Sequence, residues 1–193
     1  MTSKKSLATI IILGITEILW SQQIPDQLTA GDAIVLKLPQ VSLIDTDHAQ
    51  IEMELTANTA GESIETIATN SDMWIKVTSV VPGGTHRDIK AKITGTIPSG
   101  TILKLQAAPA TPSHSAGVLG SPNASPLTLS AVDQYLIYNI GSCYTGTGPT
   151  DGYNLTYTWS IVNPTVNFGN LEATPSTTIT IYFTLTESNN STN

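Results

Sequence analysis

Asn154-Leu155-Thr156-Tyr157-Thr158-Trp159-Ser160-Ile161 is the stretch whose reading settles the fold class. Successive side chains of an extended chain point to opposite faces, so Leu155, Tyr157, Trp159 and Ile161 share one face. Asn154, Thr156, Thr158 and Ser160 share the other. The same beat closes the chain, where Ile179, Ile181, Phe183 and Leu185 alternate with Thr178, Thr180, Tyr182 and Thr184. Reading back toward the amino terminus, strands are expected at 135–140 and 127–129. Others are expected where Leu103, Leu105 and Ala107 oppose Lys104 and Gln106, and where Ile89, Ala91 and Ile93 oppose Lys90 and Lys92. Met73, Ile75 and Val77 oppose Trp74, Lys76 and Thr78, and Ile51, Met53 and Leu55 oppose Glu52 and Glu54. The first strand is placed at 33–38, with Val41 and Leu43 resuming the rhythm after Pro39. A proline has no N–H to give a ladder, so that strand belongs at an edge or at a change of partner.

Pro82-Gly83-Gly84 and Pro98-Ser99-Gly100 supply turns between these segments. Eight or nine short strands without an amphipathic helix describe an all-β protein. An immunoglobulin-like antiparallel β-sandwich lets two half-apolar sheets bury their faces against each other. Residues 108–126, rich in Pro, Ser, Ala and Gly, read as an exposed loop or crossover inside a single domain.

Composition agrees with strands. Charged residues make up 12% of the 193 positions, against about 25% in ordinary soluble domains. The polar surface is made instead from 29 Thr and 18 Ser, and Thr favours strands over helices. With 8 Lys+Arg against 15 Asp+Glu and a net charge of −7, no basic surplus exists to displace counterions from nucleic acid.

Residues 1–21 read as a signal peptide. Lys4 and Lys5 precede an apolar run over 7–15, and Ser21 is a small residue at the expected cut. Glu17 interrupts the run before it reaches membrane-spanning length. Residues 22–193 then form one exported sandwich domain with no membrane span, extracellular, surface-bound or periplasmic. Cys143 has no partner within the chain, and a buried thiol acting as a small apolar group is its simplest reading; an intermolecular disulfide is the alternative.

Catalytic patterns are lacking. His48, His86 and His114 show no zinc-ligand spacing, no Gly-x-Ser-x-Gly elbow exists, and the Gly-rich stretch 141–152 lacks the Lys and helix of a phosphate loop. A non-enzyme without a cofactor is expected. The densest polar cluster is Asp45-Thr46-Asp47-His48, whose alternate carboxylates Asp45 and Asp47 could share a Ca2+ or simply cap a turn. Trp74, Tyr135, Tyr144 and Tyr153, near strand ends, are candidate stacking groups for a sugar or other ligand.

Three segments carry a resemblance. Trp20-Ser21-Gln22 looks like the signal ending of secreted bacterial proteins. Thr178 to Leu185 resembles the Thr-alternating last strand of exported pilin-like and adhesin-like sandwich proteins. Asn154-Leu155-Thr156-Tyr157-Thr158, after Gly141-Ser142-Cys143, is similar to a segment of uncharacterised secreted bacterial proteins. The resemblance implies an immunoglobulin-like fold and a surface or extracellular setting, and it carries no catalytic residue across. The disulfide of many pilins has no counterpart in a chain with one Cys.

The expected function is a non-catalytic structural or adhesive surface protein that associates with itself or with other surface proteins through edge strands at 33–38 or 177–185, forming filaments or layers. The alternative is a carbohydrate- or ligand-binding module using the four aromatics. Mass spectrometry of the product exported by a bacterial host is expected to show a chain starting at Gln22; an unprocessed chain free inside the cell overturns the export reading.

Overall fold

The computed structural model describes residues 33–47, 50–111, 113–174 and 176–188. The chain divides into Met1–Lys37 and Leu38–Asn193, and the sandwich lies in the second unit. In the first unit only residues 33–37 are described, and they carry no regular structure. The signal-peptide segment lies outside the described residues.

Seven strands of six residues or more make the frame: β1 (Val41–Thr46), β2 (Ile67–Val80), β3 (Arg87–Thr94), β4 (Thr101–Ala107), β8 (Gln134–Ile140), β10 (Tyr153–Ile161) and β11 (Thr180–Glu187). Four two-residue strands fill the gaps: β5 (Ala116–Gly117), β6 (Ser121–Pro122), β7 (Leu127–Thr128) and β9 (Cys143–Tyr144). One sheet runs β5-β9-β2-β10-β4-β7 with β1 also on β2, and the other runs β11-β3-β8-β6. Every pairing is antiparallel. The molecule is an all-β sandwich.

The core follows the alternation. Met73, Ile75 and Val77 from β2, Leu103 and Leu105 from β4, and Tyr153, Leu155 and Tyr157 from β10 form the buried face of the large sheet. Ile89, Ala91 and Ile93 from β3 and Leu136, Ile137 and Ile140 from β8 belong to the same core cluster. Each such aliphatic side chain contributes about 1.5–3 kcal/mol on removal from water. The two buried tyrosine hydroxyls need partners in that setting. Tyr157 donates to Met73 Sδ at 3.1 Å, and Tyr153 donates to the Leu119 carbonyl.

Several boundaries differ from those read in the sequence. The described residues form eleven strands where eight or nine were expected, because stretches too short to show a period still pair; two of them, β5 and β6, lie in the expected loop 108–126. Residues 33–38 form no strand, and Ile34 and Leu36 are 81% and 89% exposed. Pairing begins only at Val41, beyond Pro39. Residues 51–55 keep their alternation, with Ile51 and Met53 packed on the core and Glu52 and Glu54 exposed, but they join no ladder. β2 begins at Ile67 and not near Asp72, since Ile67 to Tyr157's neighbours on β10 continue the pairing through Thr69↔Thr158 and Ala68↔Trp159. A short helical turn, α1 (Pro164–Asn167), followed by a 3-10 turn (Phe168–Asn170), follows β10.

Leu155→Ala is expected to cost about 2–5 kcal/mol of stability in urea unfolding, because Leu155 is wholly buried. Leu36→Ala is expected to stay within about 0.5 kcal/mol, since that side chain buries almost nothing.

Candidate functional site

The end of the sandwich next to the β9–β10 connection is built around Asp151. Asp151 is buried, and its Oδ2 accepts the Gly148 N–H at 2.6 Å while Oδ1 sits 2.8 Å from His114 Nδ1. A Cβ at Gly146, where φ is +88°, would collide with that carboxylate, so only glycine lets the loop close over it. The His114 hydrogen bond is the main reason that the Asp151 carboxyl titrates below the usual aspartate range, with the Gly148 N–H next. Thr145 lies beside this loop, fully buried, and its hydroxyl accepts the Val77 N–H at 2.9 Å. The assembly pins two loops together; His114 keeps most of its side chain in solvent.

An open groove of about 640 Å³ lies beside β2. Trp74 and Asn70 of β2 line it with Glu52, Asp72, Pro149 and Thr150. The backbone N–H of Trp74 donates to Asp47 Oδ1 at 2.8 Å. Asp47 Oδ2 is buried and has no hydrogen-bond partner among the described residues. Asp45 caps its own neighbour, accepting the Thr46 N–H at 2.9 Å. Asp45 thus bonds within its own turn, while Asp47 bonds across to β2 through one oxygen only. His48 lies outside the described residues, and among the described residues no three His, Cys, Asp or Glu side chains group to hold a metal ion.

The proposed stacking aromatics do not meet. Trp74 and Tyr144 both project from the outer face of the large sheet, Tyr144 at 53% exposure opposite Thr78 and thus four positions along β2 from Trp74. Tyr135 belongs to the outer face of the small sheet, stacked on Tyr138 with ring centroids 5.4 Å apart. Tyr153 is a correction. It is fully buried between the sheets, so it is a core residue and no ligand reaches it. Burial likewise pushes its hydroxyl far up from the ordinary tyrosine range. Strand parity carried the signal, because Tyr153 falls two residues before Leu155 on the apolar face of β10. Cys143 is buried on β9, and burial raises its thiol pKa, so the buried-thiol reading stands and an intermolecular disulfide has no exposed sulfur to use.

Missing from the sequence-based candidates were the His114–Asp151 pair and the lysine-tyrosine surface of the small sheet. His114 and Asp151 are 37 positions apart with no shared motif. Compared with known proteins, the chain matches no family model, no curated protein and no solved structure.

An aspartate whose folded pKa is depressed stabilises the fold above its ordinary pKa and loses that contribution as pH falls through the lower value. Wild-type stability is therefore expected to fall more steeply than that of Asp151→Asn as pH drops below about 4. Urea midpoints measured across pH check this; parallel curves would show that the carboxylate adds nothing.

Proposed function

We propose that this chain is an exported, non-catalytic structural or adhesive surface protein that associates with further copies through exposed strand edges. The reading rests on β11. Among the described residues β11 pairs in a ladder with β3 alone and is the outermost strand of its sheet, with β1 of the other sheet packed nearby. Natural sheets usually protect such an edge with Lys, Pro or a bulge. β11 has none of these, and its only charge is Glu187 at the last position. Its register with β3 runs unbroken from Thr180↔Thr94 to Glu187↔Arg87, giving a straight template for an added strand.

A second feature supports the same reading. Residues 34–38 offer Ile34, Val35, Leu36 and Leu38 to solvent in an unpaired, strand-prone segment. Exposed apolar β-formers in an extended segment are suited to pairing with another chain. The signal-like segment 1–21 and the Thr- and Ser-rich, charge-poor body support the export and surface part of the reading.

Sedimentation and negative-stain microscopy of the purified protein test the proposal. Assemblies that grow with concentration are expected. Thr180→Lys with Thr184→Lys, at two exposed β11 positions, is expected to weaken association at least about tenfold while leaving the far-ultraviolet spectrum unchanged. A wild-type protein that stays monomeric over the whole concentration range overturns it.

A further inference from the structure

The outer face of the four-stranded sheet gathers aromatic rings and ammonium groups in a chain otherwise poor in both. Three neighbouring strands contribute. Tyr182 on β11 lies directly opposite Lys92 on β3, and Thr184 lies opposite Lys90. Lys90 in turn lies opposite Tyr135 on β8, with its Nζ 4.5 Å from the centre of that ring. Tyr138 stacks on Tyr135 with ring planes 16° apart and is steadied by Asn123, whose amide donates to the Tyr138 hydroxyl at 3.4 Å. Of the six tyrosines in the sequence, Tyr153 and Tyr157 are core residues. Three of the remaining four are on this one face.

Charge on the face is balanced, in a chain that is negative as a whole, and Lys90 is the ammonium that no carboxylate pairs among the described residues. Lys90 and Lys92 are two of only eight basic residues in a chain of net charge −7. The carboxylates near them are Asp133, 3.6 Å from Lys92 Nζ, and Asp88, which is buried and accepts the Asn139 N–H at 2.9 Å. Lys90 has no carboxylate within ion-pair distance among the described residues; its neighbour is the Tyr135 ring, which attracts the ammonium without neutralising it. Tyr182 is 48% exposed on the far strand, opposite Lys92 and so one same-face position along from the Thr184–Lys90–Tyr135 row.

We infer that this outer face, with Tyr182, Tyr135 and Tyr138 around Lys90 and Lys92, binds an acidic polysaccharide. From β11 to β8 the face spans about 10 Å, two inter-strand spacings, so that a polymer lying across it meets all three strands. The C–H face of a sugar ring carries partial positive charge and stacks on the negative face of a tyrosine. The two ammonium groups meet carboxylate or sulfate substituents along the polymer. Two lysines alone make a weak polyanion site, so the aromatic rings are what select a saccharide over an acidic peptide. The occupant is a saccharide bearing regular anionic groups, uronate or sulfate.

Affinity electrophoresis of the purified protein tests this with four probes: polygalacturonate, dextran sulfate, neutral dextran and polyglutamate. Retardation by either or both anionic polysaccharides, weakened by added salt and absent with dextran, is expected. Whichever anionic polysaccharide binds more tightly identifies the charged group. Lys90→Gln with Lys92→Gln, and separately Tyr182→Ala, are each expected to weaken it at least about tenfold, while Tyr144→Ala on the other sheet changes nothing. Far-ultraviolet spectra and melting curves confirm that the variants fold. Equal retardation by polyglutamate reduces the face to a generic polyanion contact and overturns the inference, as does equal binding of dextran or failure of both anionic polysaccharides. Loss of self-association in the lysine double variant would give the face to a second copy and overturn it equally.

Discussion

Ile75, Leu155 and Tyr157 of the large sheet belong to one buried cluster with Ile89, Ala91 and Ile137 of the small one, and this face-to-face burial is the constraint that the rest of the molecule serves. With no internal disulfide available to Cys143, the apolar interior carries the fold by itself. Each strand must therefore keep every second residue apolar, and the residues between must be polar without breaking the strand. Thr meets both demands, because its β-branch favours the extended chain while its hydroxyl faces water. The thin charge of the sequence is a consequence of that choice. It leaves the outer faces neutral over wide areas and the edges without their usual lysines.

Where the sandwich closes, two charged side chains, Arg87 and Asp151, are buried and held by hydrogen bonds from distant segments. Arg87 at the start of β3 is buried, with its guanidinium donating to the Val41 and Val80 carbonyls, Ser79 Oγ and Gln40 Oε1. Those are all neutral acceptors. They tie the entry of β1 to the turn between β2 and β3, so the cation organises a crossing of chain segments and not an ion pair. Asp151 performs the matching task near β9 and β10 with Gly148 and His114. A buried charge that bonds several backbone groups holds loops in one arrangement, since removing it would orphan all of them together.

How much of this was legible depended on whether a residue's environment is set by its own strand or by a strand far away. Leu155, Tyr157 and Ile161 were placed correctly because period-two alternation decides their face whatever the partner strand. The same parity puts Tyr153 inside, and reading it as a strand-end aromatic set position in the loop above parity in the strand. Residues 33–38 show the opposite failure. Their β-propensity is high, yet a strand exists only against an edge, and Pro39 separates them from the pairing that begins at Val41. The two-residue strands β5, β6, β7 and β9 are too short for any period to register. The lysine-tyrosine face was invisible for a related reason: Lys90, Tyr135 and Tyr182 are brought together by the order β11-β3-β8, and alternation reveals the face of each strand but not its neighbour.

β11 connects the two proposals, because it supplies both the outermost edge and Tyr182. A strand added to that edge by another copy would extend the small sheet sideways, and outward-facing rows would continue from one copy into the next. One copy of the proposed face, with two lysines and three tyrosines, would offer only a modest affinity. Repetition along an assembly changes the arithmetic: once one row is engaged, the next acts at the effective concentration set by its spacing, and overall binding rises by orders of magnitude without a new contact. A long polymer with regularly spaced anionic groups is the kind of ligand that can use such an array, whereas a short oligosaccharide cannot. If both proposals hold, the geometry of assembly, and not the depth of any pocket, would determine how tightly a polysaccharide is held.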